Sequence, residues 1–285
     1  MAERKNPAPQ VTVANSNTRL TTGPSPRRGV TRADAGMPRP ATSTTRVGAG
    51  LAVRASRRDP EAGGAVLRGE AISEAALAGL RGRMAALLAR QGIQDDYVLR
   101  VMAEVPRHRF IDEALASRAY ENAALPIGAG QTISQPWIVA RMLAVAREGG
   151  ALRKVLEVGT GCGYQAAVLA RLADHVVSIE RIRSLHEQAV ERLRVLGVRN
   201  AKLVLGDGNV GWPAGGPYDA ILVAAAGQHI PQALQAQLAV GGRLLAPEGG
   251  SQQRLVLIER TSRERFRRTE LEFVRFVPLQ TGVQL

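Results

Sequence analysis

Apolar residues recur at helical spacing in the first ordered-looking part of the chain. Between residues 72 and 88 they return every three or four positions, and Gly92 offers a stop. A second, shorter helix is expected between Asp95 and Pro106, because Asp favours the first turn of a helix and Pro ends one. These two stretches predict a helical segment ahead of the rest of the fold.

From Arg153 onward the pattern changes to short, β-branched apolar runs that alternate with helical stretches. Strands are predicted at 155–158, 176–179, 203–205 and 220–223, and helices begin at 164, 182 and 231. Such alternation is typical of βαβ units on a buried parallel sheet. After the helix at 231–239, the runs 243–245, 254–258 and 271–277 follow one another without a helix between each pair. The pattern therefore predicts an α/β fold: a doubly wound, Rossmann-like, mostly parallel sheet with an N-terminal helical segment and antiparallel C-terminal edge strands.

The segment before residue 71 has a different composition. Residues 1–60 hold 11 Lys and Arg against three Asp and Glu, together with seven Pro, and the first aromatic residue is Tyr97. So little apolar surface cannot offset the entropy of ordering the chain. We predict a disordered basic extension at 1–70 and a folded domain at 71–285. The extension is either a tether to nucleic acid or an anionic surface, or a solvated tail; the absence of interleaved aromatics favours the tail.

The cysteine count and the hydropathy of the chain exclude further classes of protein. The single Cys162 rules out an internal disulfide framework and a cysteine-built metal cluster, which favours a reducing cytoplasm. No run of 18 apolar residues occurs, so a membrane span is not expected. The four histidines share no metal-ligand spacing, and no metal site is predicted.

The most informative stretch lies between Val155 and Tyr164, where a strand enters a glycine-rich turn and then a helix. Glycines let a ligand approach the backbone, and the helix start presents free N–H groups. Tyr164 stands where a dinucleotide fingerprint needs its third glycine, which disfavours a nicotinamide oxidoreductase. Glu157 would repel a pyrophosphate but suits the cationic amino-acid end of S-adenosylmethionine.

Two further acids end the next two predicted parallel strands. Glu180 is placed about 20 residues past the glycine loop, where a carboxylate accepts hydrogen bonds from ribose hydroxyls. Asp207, followed by Gly208, is placed to accept from an adenine amino group. Three acids at aligned strand ends favour an adenosyl ligand over a chance arrangement.

Eight short motifs, some of them outside the glycine loop and the strand ends, occur in the same order and spacing as in one family. They are Val105–Phe110, Ala124–Gly128, Gln131–Pro136, Glu157–Tyr164, Ser178–Arg181, Gly206–Gly208, Gly241–Arg243 and Phe276–Leu279. Over roughly residues 75–285 the chain resembles the protein-L-isoaspartate O-methyltransferases. The basic extension lies outside this resemblance.

The resemblance implies an activity and a set of site residues. The expected reaction is methylation, by S-adenosylmethionine, of the free α-carboxylate of L-isoaspartyl residues in damaged proteins and peptides. The ester then closes to a succinimide that partly reopens to normal aspartate, so the outcome is repair. Ser134 is the implied active-site residue. The implied cofactor-binding residues are Thr132, Ile133, Glu157, Gly159, Gly161, Gly163, Glu180, Asp207 and Gly208.

The chemistry needs little acid or base catalysis. A carboxylate with an ordinary pKa near ~4 is ionised at neutral pH, so the main task is to hold it in line with the methyl group and exclude water. Ser134 and Pro136 are predicted to open a helix, with the Ser134 hydroxyl as its N-cap, as a substrate anchor, or as both. The helical segment and the 132–136 loop are expected to form a lid over the cofactor.

One segment of the chain differs from the family pattern, and two other functions remain as alternatives to the predicted one. Residues 224–229 differ from the family's usual turn after the fourth parallel strand. The basic composition favours an RNA or DNA methyltransferase of the same fold, but residues 223–226 lack the acidic or proline-aromatic signature that base methylation uses. The other rival is a non-enzymatic binding module tethered to nucleic acid through the basic extension.

Overall fold

The computed structural model of the protein describes residues 72–285, so the predicted basic extension lies outside the described residues. Two helices come first, α1 (Glu74–Arg90) and α2 (Asp96–Glu104). The Ser73 side chain caps α1 and the Asp95 side chain caps α2, each by accepting backbone N–H groups of the first turn. Both predicted helices are therefore confirmed.

A connecting region leads from α2 to the main sheet. It consists of short 3-10 helices at Arg107–Phe110 and Glu113–Arg118, a hairpin of β1 (Leu125–Gly128) and β2 (Gln131–Ile133), and helix α3 (Pro136–Arg147). The hairpin was not predicted, because strands of four and three residues are too short to show a two-residue period.

Seven strands form one sheet in the order β5-β4-β3-β6-β7-β8-β9. They are β3 (Leu152–Val158), β4 (Ala173–Glu180), β5 (Ala201–Leu205), β6 (Tyr218–Val223), β7 (Leu238–Gly249), β8 (Gln253–Arg260) and β9 (Phe266–Val274). The first five in sheet order pair in parallel, whereas β8 and β9 are antiparallel. Helices α4 (Tyr164–Leu172), α5 (Arg183–Val195) and α6 (Gln232–Ala236) lie between parallel strands. The predicted fold class is confirmed.

Strand β3 is buried on both faces of the sheet. Val155 packs in an apolar cluster with Leu143 of α3 and Leu169 of α4. The next residue, Leu156, points to the opposite face and packs in the cluster that contains Leu234 of α6. Burial on both sides explains why Val155, Leu156 and Val158 are all apolar although their side chains point to both faces.

Helix α6 is shorter than the predicted 231–239, because it ends at Ala236. Side-chain atoms of Gln237 accept from the backbone of Trp212 and donate to the carbonyl of Val210, and its own carbonyl accepts from Tyr218. These tertiary contacts turn the chain into β7, where Leu238 pairs with Tyr218. The helix end is set by a neighbouring loop, which local periodicity does not reveal.

The order of the strands in the sheet creates a crevice at the carboxyl ends of the parallel strands. β4 and β6 lie on opposite sides of β3, so the loops that follow β3 and β6 diverge at the carboxyl ends of the strands. Ligands of open α/β sheets bind at such a switch point. The described residues belong to one compact unit, and each helix within 72–285 is too short or too polar to span a bilayer.

Candidate functional site

A cleft with an empty volume of about 860 Å³ opens at this switch point. We call it the donor cleft. It is bounded by the glycine loop after β3, the residues after β4 and β6, the β1–β2 hairpin and the C-terminal segment 277–280. Its lining includes eight of the ten predicted site residues: Thr132, Ile133, Ser134, Glu157, Gly159, Gly161, Glu180 and Gly208. Helices α1 and α2 supply none of the lining, so the expectation that the N-terminal helical segment covers the cofactor is wrong. A lid formed by the 132–136 loop stays a prediction.

The glycine loop folds back over the end of β4. The backbone N–H groups of Gly159 and Thr160 both donate to the carbonyl of Ile179, at 2.8 and 3.1 Å. Gly159 and Gly161 have φ of +92° and +55°, a region that favours glycine. A Cβ on Gly161 would lie 3.2 Å from the Ile127 side chain of the hairpin, so glycine keeps the cleft open at this point.

Gly163 lies behind the cleft and does not line it. It has φ +91° and caps the start of α4. A Cβ there would come within 2.7 Å of Leu193 on α5. The third glycine therefore allows α4 and α5 to pack closely, and any contact with a cofactor stays a prediction.

Glu180 ties the glycine loop to the end of β4. One carboxylate oxygen accepts from the Gly161 N–H at 2.8 Å, and the other accepts from the Ile182 N–H at 2.9 Å. Each carboxylate oxygen can accept a second hydrogen bond. The arrangement leaves acceptor capacity at the cleft wall for the predicted ribose hydroxyls.

Asp207 lies beside the donor cleft, and its neighbour Gly208 lines it. Burial alone would raise the Asp207 pKa, but hydrogen bonds from the backbone of Gly282 and from Asn209 outweigh that effect and lower it. The Gly282 N–H lies 2.7 Å from Oδ2. This carboxylate thus anchors the C-terminal segment that closes one wall, while its contact with adenine stays a prediction.

Glu157 is fully buried at the end of β3. The Ser178 hydroxyl donates to Oε2, so Thr160, whose hydroxyl contacts Ser178 Oγ, must donate to Ser178 in turn. Burial raises the Glu157 pKa to about 8, against the opposing hydrogen bond from Ser178. Among residues 72–285, Oε1 finds no hydrogen-bond partner. A buried acceptor without a donor fits a cationic ligand group.

Gln165 also lines the donor cleft and was not among the predicted site residues. It occupies the second position of α4 and is 8% exposed. Within the described part of the chain its amide nitrogen Nε2 has no acceptor. The only sequence signal for its role is its place just after the glycine loop.

Ser134 lies between β2 and α3, and the alternative in which its hydroxyl caps the helix is wrong. Gln135 is the N-cap residue of α3, and no side chain makes the capping hydrogen bond. Because α3 begins one residue after Gln135, the Ser134 hydroxyl is not committed to that role. The backbone carbonyl of Ser134 accepts a hydrogen bond from the guanidinium of Arg107, which is buried. Arg107 belongs to one of the family motifs, but no function was predicted for it.

A second cleft, with an empty volume of about 1260 Å³, adjoins the first. We call it the groove. Four residues line both spaces: Thr132, Ser134, Ala224 and Val277. The rest of the groove includes Trp137, Phe273, Arg275 and Phe276. Ser134 therefore lies where the two clefts meet.

The segment that departs from the family pattern forms part of the wall between the two clefts. The Ala226 N–H donates to the Val277 carbonyl, and the Leu279 N–H donates back to the Ala226 carbonyl, both at 2.8 Å. These bonds hold the C-terminal segment against the end of β6. A Cβ at Gly159 would lie 3.4 Å from the Ala224 methyl group, so this Ala leaves just enough room for the glycine loop.

A sequence model of the family described as Protein-L-isoaspartate(D-aspartate) O-methyltransferase matches residues 81–284. The chain belongs to this family. The matched range contains all ten predicted site residues and excludes the basic extension, as the resemblance implied.

Curated relatives agree with this assignment. A Protein-L-isoaspartate O-methyltransferase of Bordetella petrii is 52% identical over 278 residues, which cover 97% of this chain and 91% of the relative. One from Bordetella avium is 62% identical over 206 residues, covering 72% of this chain and 78% of the relative.

Two solved structures of family members are similar to this chain. One protein-L-isoaspartate O-methyltransferase superposes with a TM-score of 0.66 at 28% identity, covering 72% of this chain and 67% of that one. Another, from Plasmodium falciparum in complex with S-adenosyl-L-homocysteine, has a TM-score of 0.61 at 26% identity. The match covers 70% of this chain and 98% of that one. The predicted family, fold and isoaspartyl O-methyltransferase activity are confirmed. The comparisons favour this activity over the two rival functions.

Proposed function

We propose that this protein transfers the methyl group of S-adenosylmethionine to the free α-carboxylate of L-isoaspartyl residues in damaged proteins and peptides. The observation that carries the proposal is the position of Ser134, which borders both the donor cleft and the groove. The donor cleft holds buried carboxylates, and the groove is open and partly aromatic. Two such spaces with a hydroxyl between them suit a small cationic donor and a polypeptide acceptor.

The donor cleft has the chemistry that S-adenosylmethionine requires. Glu157 Oε1 offers a buried, unpaired acceptor to the donor's ammonium group. Glu180 offers acceptor capacity to the ribose hydroxyls, and Thr132, Ile133, Gly159, Gly161 and Gly208 give the wall its shape. When bound, the cofactor supplies an electrophilic sulfonium methyl group.

The protein's own task is to place the substrate carboxylate. That group is already ionised at neutral pH, so no residue has to remove a proton from it. The Ser134 hydroxyl donates to one carboxylate oxygen and leaves the other free to attack in line with the departing sulfur. Holding the two reactants in this geometry, away from water, is the main source of rate acceleration.

The groove is the proposed site for the polypeptide. Trp137, Phe273 and Phe276 supply apolar surface, and Arg275 supplies a positive charge. An extended chain is the conformation that lays a flexible isoaspartyl residue across such an open surface with its carboxylate toward Ser134.

The decisive experiment uses labelled S-adenosylmethionine and two peptides that differ only in one residue, L-isoaspartyl in one and L-aspartyl in the other. We expect a base-labile methyl ester on the isoaspartyl peptide alone. Equal labelling of both peptides would contradict recognition of the rearranged residue. Labelling of neither peptide, with label found in RNA or DNA, would favour the nucleic-acid methyltransferase instead.

The organisation of the whole chain is part of the proposal. We assign the methyltransferase domain to residues 71–285 and treat the basic extension 1–70 as dispensable for catalysis. Weak contact of the extension with nucleic acid or an anionic surface stays a prediction, since it lies outside the described residues. We propose a cytoplasmic location, because a chain whose single cysteine is Cys162 does not depend on an oxidising compartment for a disulfide framework.

A further inference from the structure

A third hollow in the surface adjoins the groove. We call it the flanking hollow. It is lined by residues 250–253, which connect β7 to β8, and by residues 273–276, which line the groove as well. Within the described part of the chain, no residue lines both the flanking hollow and the donor cleft. The three spaces therefore follow one another in the order donor cleft, groove, flanking hollow.

Arg275 carries the charge of both outer spaces. Among the described residues that line the groove or the flanking hollow, it is the only charged one. Arg275 is exposed, and within residues 72–285 its side chain forms no ion pair and no hydrogen bond. Both acids of the adjoining strand β9 are committed elsewhere, Glu272 to Arg141 at 2.6 Å and Glu270 to Arg254 at 3.4 Å. A positive charge without an acidic partner in the described chain thus lies beside the proposed polypeptide site.

The main chain on either side of Arg275 is anchored to β8. The Phe276 N–H donates to Gln253 Oε1 at 2.7 Å, and Gln253 Nε2 donates to the Phe276 carbonyl at 3.2 Å. On the other side, Val274 is the last residue of β9 and pairs with Gln253 in the sheet. The side chain of Arg275 therefore leaves the surface from a fixed point.

The chemistry of a guanidinium selects for a carboxylate, which it can bind through two parallel hydrogen bonds. The reacting α-carboxylate is assigned to Ser134, at the border of the groove with the donor cleft. Arg275 lies at the border with the flanking hollow and does not line the donor cleft. Its partner is then a second carboxylate, a few residues along the same polypeptide. Asp and Glu side chains supply such a group.

We propose that Arg275 is a specificity-determining residue, which favours substrates that carry an acidic side chain a few residues to one side of the isoaspartyl residue. The inference rests on the proposed function, because it takes the groove as the polypeptide site. The contact is exposed and lies apart from the reacting atoms, so it acts on KM and leaves kcat unchanged. An exposed ion pair of this kind is worth about two- to fivefold in affinity and weakens as salt screens it.

A set of isoaspartyl peptides tests this assignment. Each peptide carries Glu, Gln or Lys at one position, which is moved in turn through the neighbouring positions on either side of the isoaspartyl residue. We expect kcat/KM to be about two- to fivefold higher for Glu than for Gln, and lowest for Lys, at positions on one side only. The difference should arise in KM and shrink when the salt concentration is raised to about 0.5 M.

Three variants of Arg275 and one control identify the charge responsible. Arg275→Gln should remove the preference, Arg275→Lys should retain most of it, and Arg275→Glu should reverse it, so that the Lys peptide becomes the best substrate. A merely structural role of Arg275 would not produce this reversal. Arg153→Gln removes an exposed arginine near the start of β3, at the far end of that strand from the clefts, and should keep the preference for Glu. Thermal melting of each variant checks that the fold is retained.

The outcomes separate this inference from the proposed function. Equal kcat/KM for the Glu, Gln and Lys peptides in the unmodified protein would overturn the inference while the methyltransferase stands. A preference for Glu that survives in Arg275→Gln belongs to another cation of the chain, such as those of the basic extension, and also overturns it. Labelling of none of the isoaspartyl peptides would contradict the proposed function itself, and this inference with it.

Discussion

The guanidinium of Arg107 donates from Nη2 to the backbone carbonyl of Ser134 at 2.7 Å. Arg107 is completely buried, and burial lowers its pKa. Its partners among residues 72–285 are backbone carbonyls, with Ala119 O at 2.8 Å from Nε, and the ring of Tyr164, whose centre lies 4.9 Å from the guanidinium carbon. One cation thus joins the first 3-10 helix, the residue after the glycine loop and the loop that bears the proposed catalytic serine.

Arg107→Lys should lower kcat more than it changes donor affinity. Lysine keeps the positive charge but lacks the planar fork that spans two carbonyls, so the Ser134 loop loses its fixed position. Misplacement of a catalytic group by about 1 Å costs on the order of 100-fold in rate. Steady-state kinetics on an isoaspartyl peptide, with calorimetry of S-adenosylhomocysteine, gives the two values.

Arg109→Lys is the control for this change, because Arg109 lies two residues along the same 3-10 helix and is exposed. It should behave like the unmodified protein. A loss of donor affinity as large as the loss of kcat in Arg107→Lys would mean that Arg107 only supports the fold of the cleft.

Ser134→Ala should lower kcat on the order of 10- to 100-fold, because the substrate carboxylate loses the donor that orients its other oxygen for attack. The affinity for S-adenosylhomocysteine should change much less, because the hydroxyl is assigned to the substrate carboxylate. Ser117→Ala, at an exposed position of the second 3-10 helix, is the control. Unaltered turnover in Ser134→Ala would remove this residue from the mechanism.

Binding of S-adenosylhomocysteine should depend on pH through Glu157. In the free protein burial raises the Glu157 pKa from 4.5 to about 8, so the group holds a proton at neutral pH. An ammonium group at Oε1 favours the ionised form, and binding therefore releases this proton. Affinity should rise as pH increases from about 6 toward 8 and level off above the pKa of the free protein.

Titrations in two buffers with different ionisation enthalpies measure the proton release directly. Glu157→Gln keeps the size of the side chain, has no titrating group, and should bind more weakly without releasing this proton. Proton release that persists in Glu157→Gln would place the titrating group elsewhere in the cleft.

A chain that begins at Ile72 should retain both donor binding and methyl transfer to an isoaspartyl peptide. All residues that line the donor cleft and the groove lie between positions 124 and 280. Comparison of kcat/KM for the full chain and the truncated chain at two salt concentrations checks the assignment. A salt-dependent loss of activity confined to the truncated chain would show that the basic extension helps to bind the substrate.

The sequence was most informative where burial imposes a pattern. Val155, Leu156 and Val158 of β3 are apolar because both faces of the strand are covered there, and the glycine loop after it is marked by the residue type that its backbone requires. Acids at successive strand ends led to Glu180 and Glu157, since parallel strands present their carboxyl ends at one edge. The family motifs added Ser134, which no local pattern would have distinguished from a helix cap.

Other features depended on contacts between distant parts of the chain. The end of α6 follows from Gln237 and the loop at Val210, and the β1–β2 hairpin is too short for its period to appear. Gln165 and Arg107 were missed because an amide after a glycine loop and an arginine in a helical region are ordinary surface residues in most sequences. Their burial, and the absence of partners for Gln165 Nε2 among the described residues, are visible only in the folded structure.

By itself, the order of residues determined the sheet, the place of the glycine loop and the identity of the acids around it, because periodicity and residue type act over short stretches of chain. The tertiary structure decided which polar atoms stay without partners and which side chains meet across the two clefts. Those properties arise only when strands and loops far apart in sequence exclude water from the same small volume.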